Sequence, residues 1–181
     1  MNEHSFSGKW IDDLNQELQG SDRACAILAG ALLDERLKML IQKFLLPASD
    51  TKNDKLLGRS APIESFSSRI EMARRLNLIR EETRKSLDWV RDIRNAAAHL
   101  EDFSIESNSY RDKIRNLIVE LKIEQQAPSI LKKPYQGLRG NFIAVIIMLV
   151  ISLELEEKET KQTEHEPLDV LSKFSVNESK G

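Results

Sequence analysis

The 181-residue sequence is poor in the residues that build cross-linked or strand-based folds. Its one cysteine, Cys25, excludes a disulfide framework and a cysteine-ligated zinc site, because each needs several sulfurs at short spacing. No metal and no cofactor is expected. Seven glycines, five prolines and 6% aromatics, with few valines or threonines, leave too little turn chemistry and too few strand formers for a β-sandwich or barrel. The most apolar stretch, Phe142 to Ile151, is ten residues long. A bilayer span needs about 20, so this stretch reads as a buried core helix and no membrane association is expected. The opening MNEHSFSGKWIDDLNQ has no basic region followed by an apolar run, which predicts no secretory signal and a cytoplasmic protein.

What is present is the balance of an ordinary globule, 40% apolar against 31% charged residues, in a length suited to one domain. Charge is unevenly spread. Residues 152–181 hold four lysines against eight acids, leaving 23 basic and 21 acidic groups in residues 1–151, a body charge of +2. A module that grips duplex DNA normally shows a pronounced basic excess, since counterion release supplies most of its affinity. Tight sequence-specific DNA binding by the chain alone is therefore not expected.

Hydrophobic periodicity predicts an all-α fold, a single bundle of five to seven helices. Trp10, Ile11, Leu14 and Leu18 mark a short peripheral helix that Gly20 ends, with Ser21 or Asp22 available to cap the next. The following helix, through about residue 46, is read with a stripe of Ile27, Ala31, Leu37, Leu40, Ile41 and Phe44. Small residues (Ala24, Cys25, Ala26, Ala29, Gly30 and Ala31) line its first half and would let another helix approach closely, with Cys25 expected there as a small buried hydrophobe. Pro47 stops it, and residues 47–61 read as a loop. Residues 65–76 carry Phe66, Ile70, Ala73 and Leu76 on one face, with Asn77 suited to a left-handed cap. A helix follows from about Glu81 to His99, another carries Ile114, Leu117, Ile118 and Leu121, and a linker over 125–140 leads to a last helix over about 141–156 at the bundle centre. The division expected is an N-terminal helix and arm (1–20), a helical domain (21–156) and an acidic tail that is disordered or loosely docked (157–181).

One segment holds more chemistry than packing needs. RDIRNAAAHL places Arg94, Asn95 and His99 around three alanines. An imidazole can take a proton from a ribose 2′-hydroxyl or give one to a leaving 5′-oxygen, and a guanidinium can stabilise the in-line phosphorane, which together cleave RNA without a metal. Yet positions 94 and 99 are about 140° apart around a regular helix. They converge only if the helix frays at His99, or if two copies meet across a symmetric interface. Ala96, Ala97 and Ala98 would offer a low-bulk surface for such a homodimer, or would pack intramolecularly under the Phe142–Ile151 helix. The plainer alternative pairs Arg94 with an acid and leaves His99 at the negative end of the helix dipole.

The run SDRACAILAGALLDERLKMLI, then LLGRSAPIESFSSRIEMARRLNLI, VRDIRNAAAHLEDFS and LRGNFIAVIIMLV, resembles the mannitol operon repressor family over most of residues 21–153. The matching blocks are Ser21, Asp22 and Arg23; Leu33, Asp34 and Leu37; Pro62, Phe66, Ser67, Arg69 and Ile70; and Arg94, Asn95, Ala98 and His99. The resemblance implies an all-α fold and transcriptional regulation, although no helix-turn-helix with a basic recognition helix is evident. RNAAAH also looks like the active-site signature of HEPN domains, small helical bundles that pair the motif across a dimer. That likeness implies catalytic roles for Arg94 and His99, oriented by Asn95. The HEPN toxin subgroup carries a tyrosine two residues after the histidine; Glu101 stands there, which argues against that subgroup.

In the Pro62–Ile70 block, Ser67 and Arg69 are candidates to bind a ligand or phosphate at a helix start, against the simpler reading that the serines cap the helix. Arg74, Arg75, Arg80, Arg84, Lys85 and Arg91 are interleaved with Glu71, Glu81, Glu82 and Asp88, the pattern of a salt-bridged, solvated face. His4 and His165 have no partners at ligand spacing. Two functional readings stand: a regulator of the mannitol operon repressor family acting through a protein partner, and a metal-independent HEPN-type endoribonuclease acting on RNA as a homodimer.

Overall fold

The computed structural model describes residues 8–50, 53–123 and 136–164. Among them the protein forms six α-helices and no strands: α1 (Gly8–Glu17), α2 (Asp22–Phe44), α3 (Phe66–Arg75), α4 (Glu81–His99), α5 (Asn108–Glu120) and α6 (Gly137–Glu159). The fold is an all-α bundle. Helix α2 is its hub, packed against α3, α4 and α6, while α5 bridges α4 and α6 and α1 lies on α6.

Local chemistry accounts for the helix ends. Ser21 caps α2 by accepting the Ala24 N–H, and Ser65 caps α3 by accepting the Ser68 N–H. Asn77 takes the left-handed conformation expected of it, at φ 59°. Around it the Asn77 N–H donates to the Arg74 carbonyl and the Leu78 N–H to the Ala73 carbonyl, the paired bonds of a Schellman cap.

The buried face of α2 differs from the expected stripe. Cys25, Ala26, Ala29, Gly30, Leu33, Leu37, Leu40 and Ile41 are buried, whereas Ile27 and Ala31 are exposed. Small residues, not the bulky ones, face inward at this end, because close helix approach removes more surface there than a lone isoleucine would. Burial pushes the Cys25 thiol up to about 11 despite the pull of Arg139, the chemistry of a packing residue.

Helix α6 is longer than the sequence pattern predicts, beginning at Gly137 and running to Glu159. By length and composition it could cross a membrane. Its residues from Phe142 to Ile151 are all buried in the bundle, so its apolar surface is already covered by neighbouring helices. The linker expected over 125–140 falls mostly outside the described residues, as do His4 and residues 165–181 of the tail.

Candidate functional site

Helices α2 and α4 run antiparallel. Arg23, near the start of α2, donates to the carbonyls of Ala97, Leu100 and Glu101 at the end of α4. Seven residues further along α2, Gly30 lies against Arg94. A Cβ at position 30 would stand 2.6 Å from Arg94 Cγ and 3.0 Å from its Cβ, so only glycine allows this approach. Gly30 is one of the small residues that the sequence offers for the close approach of another helix, and α4 is the helix that takes that place.

Where α2 and α4 meet the start of α3, an open groove of about 450 Å³ is lined by Asp34, Ser67, Arg91, Arg94 and Asn95, among others. Two blocks distant in sequence, the Ser67 region and the Arg94–Asn95 pair, thus share one site. Arg91 joins them: it donates to Ser67 Oγ at 3.0 Å and forms ion pairs with Asp88 at 2.7 Å and Asp92 at 3.3 Å. Asp92 also takes Lys113 at 2.9 Å. Burial raises its pKa, but Lys113 and Arg91 together outweigh that and hold the carboxyl below its usual range.

The arginines differ in what they have left to offer. Arg69, only 7% exposed, donates through Nη1 to Asp34 Oδ1 at 2.7 Å and through Nε to the Ile63 carbonyl at 3.2 Å. It fastens α3 and the preceding loop to α2. Burial pushes the Asp34 carboxyl up, with Arg69 pulling it back. Arg94 is exposed, makes no ion pair among the described residues, and donates only to its neighbour Asn95 Oδ1 at 3.0 Å. The expected salt-bridged face is present on α3 and α4, where Arg84 joins Glu81 and Asp88, and Arg74 joins Glu81.

His99 does not line this groove. It is exposed as the last residue of α4, and the helix stays regular up to it with its end held by Arg23. Fraying therefore does not bring His99 to Arg94 within one chain. The alanines do not form one surface either: Ala97 is fully buried, Ala96 half-buried and Ala98 exposed. Their helix packs on α2, α3 and α5, so the buried contact at Ala97 is with the bundle. Among the described residues no group of three His, Cys, Asp or Glu side chains is placed to hold a metal ion.

No protein-family model and no curated protein matches the chain. Among solved structures, the fold is similar to a chain in the X-ray structure of the MtlR–HPr complex from Escherichia coli, with a TM-score of 0.60 and 14% sequence identity. The match covers 80% of this chain and 98% of that chain. At that identity the likeness is one of fold: the protein has an MtlR-like helical bundle.

Proposed function

We propose that the protein is a regulator of the mannitol operon repressor type that works by contacting a protein partner, without chemistry of its own. The observation that carries this reading is the separation of His99 from the Arg94–Asn95 groove. In one chain His99 is not beside the guanidinium, whereas an exposed arginine that makes no ion pair among the described residues, with Asp34 of the same groove acting on it only at longer range, suits recognition of an acidic surface. The likeness to a chain of a complex formed with HPr supports a protein as the partner. Titrating HPr into the full chain by calorimetry tests it. Saturable binding is expected, and no heat at tens of micromolar of both proteins would overturn the reading. Tight binding to a defined DNA operator is not part of this function.

The alternative is a metal-independent HEPN-type endoribonuclease. It is favoured by the exposure of Ala98 and His99 together at the end of α4, where a second copy in a homodimer would bring its own His99 towards Arg94. Mixed RNA incubated with the protein in EDTA, beside an Arg94→Ala/His99→Ala variant, separates the two. The regulator reading expects both to be inactive; cleavage by the wild type that the variant loses would establish the nuclease.

A further inference from the structure

A second concavity lies at the far end of α2. Leu45, Leu46, Leu56 and Leu57, with Lys43 and others, enclose a groove of about 580 Å³. Leu57 is buried beneath it, but Leu46 is 68% exposed and Leu56 39% exposed, an unusual concentration of bare leucine on a surface otherwise rich in charge. The chain itself passes along the rim. After α6 ends, the Thr163 N–H donates to the Phe44 carbonyl at 2.8 Å and Gln162 Nε2 donates to the Leu45 carbonyl at 3.2 Å. These bonds satisfy carbonyls that the end of α2 leaves open, and they fix the course of the tail where the groove begins. Gln162 is one of the groove's lining residues.

The described chain ends two residues after Gln162 at Glu164, and residues 165–181 follow. Leu168 is four residues on, a reach of at most about 14 Å, enough to enter the groove but not to leave its neighbourhood. From there Leu168, Leu171 and Phe174 recur at three-residue spacing behind Pro167, a pattern that would put three apolar side chains on one helical face. Acidic Glu166 and Asp169 flank them; the groove carries one charge of each sign, Lys43 and Asp54, so the apolar contact and the short reach, not charge, select this occupant.

We propose that this groove is the docking site of the chain's own C-terminal segment, with Leu168, Leu171 and Phe174 seated against Leu46, Leu56 and Leu57. The segment covers the exposed leucines in cis. Its release opens an apolar surface at the end of the bundle opposite the α4 terminus.

The native thiol is buried, so cysteines introduced at the surface can be cross-linked selectively with a short bismaleimide. In dilute full-length protein, Leu56→Cys/Phe174→Cys should close an intramolecular link at least tenfold faster than a control pair, Val119→Cys/Phe174→Cys, whose first site is on exposed α5. Equal rates, or links formed mainly between molecules, would overturn the proposal. A second measurement needs no new cysteine. Leu171→Asp/Phe174→Asp in the full chain should raise amide hydrogen exchange across residues 45–57 and leave α4 unchanged; an unchanged 45–57 would also overturn it.

Discussion

Helices α3 and α4, which meet at the central groove, each carry an arginine that a sequence motif singles out, Arg69 behind the groove and Arg94 lining it, and the two have opposite roles. Arg69 is buried, with its charge matched by Asp34 and its Nε spent on a backbone carbonyl. Arg94 is held close to α2 by the absence of a side chain at Gly30, yet it is exposed and makes no ion pair among the described residues, donating to the Asn95 amide while Asp34 lies in the same groove. Removing a buried ionic partner leaves an uncompensated charge, whereas removing an exposed one costs little. The first arginine therefore belongs to the fold and the second is available to a ligand.

The largest effect is expected where the two walls depend on the same seam. Ala97 is fully buried on α4, and an indole there has no space. Ala97→Trp should destabilise the domain by about 3 kcal/mol or more and show as lost helicity in circular dichroism. A folded variant that merely dissociates from a dimer would mean that Ala97 faces another copy.

Arg69→Ala comes next, at about 2 kcal/mol in urea denaturation, because Asp34 and the Ile63 carbonyl both lose their donor. Arg94→Ala should stay within about 0.5 kcal/mol of wild type while weakening partner binding. Equal losses for the two would break the contrast between the walls. The pH dependence sharpens it. Asp34 already has a raised folded pKa, and without Arg69 it rises further, so the folded variant binds a proton more readily. The deficit of Arg69→Ala should shrink as the pH falls.

Gly30→Ala tests the close approach itself. Alanine favours a helix interior by roughly 0.5–1 kcal/mol over glycine. Against that, the new methyl meets the root of the Arg94 side chain, which cannot swing aside as a flexible end would. A net loss of about 1 kcal/mol is expected, together with weaker partner binding as Arg94 is displaced. A stabilised variant would show that α4 can shift away from α2 without cost.

Helical periodicity and capping residues made the bundle legible in sequence, with α4 bounded correctly by Glu81 and His99 and the Asn77 cap read from one residue. In α2 the small residues Cys25, Ala26, Ala29 and Gly30 do face inward as room for another helix and Leu37, Leu40 and Ile41 are buried as the stripe predicts, but Ile27 and Ala31 are not, because a periodic stripe cannot rank two adjoining faces. Ser67, Arg94 and Asn95 were singled out in two separate blocks, but nothing local says that α3 and α4 would bring them to one groove. Nor does spacing distinguish Arg69 from Arg94. That difference is set by Asp34, a carboxylate 35 positions away on another helix.

The smallest effect concerns a third arginine, Arg84 on α4, which meets Glu81 at 2.6 Å with both side chains partly open to solvent. The Arg84 hydrogen bond, with Arg74 adding to it, pulls the Glu81 carboxyl down from its ordinary value of 4.5 to about 2. A depressed folded value means that the pair's contribution is complete above the ordinary value and disappears as the pH falls through the folded one. The difference in urea midpoint between wild type and Glu81→Gln should therefore be small and constant from about pH 7 to pH 5, then decline towards zero near pH 2. Because the pair stays partly open to solvent, about 1 M salt should weaken it even at neutral pH. A Glu81→Gln loss as large as that of Arg69→Ala, or one indifferent to salt, would mean that burial does not separate the fold's arginines from the surface ones, and the assignment of Arg94 to a ligand would lose its basis.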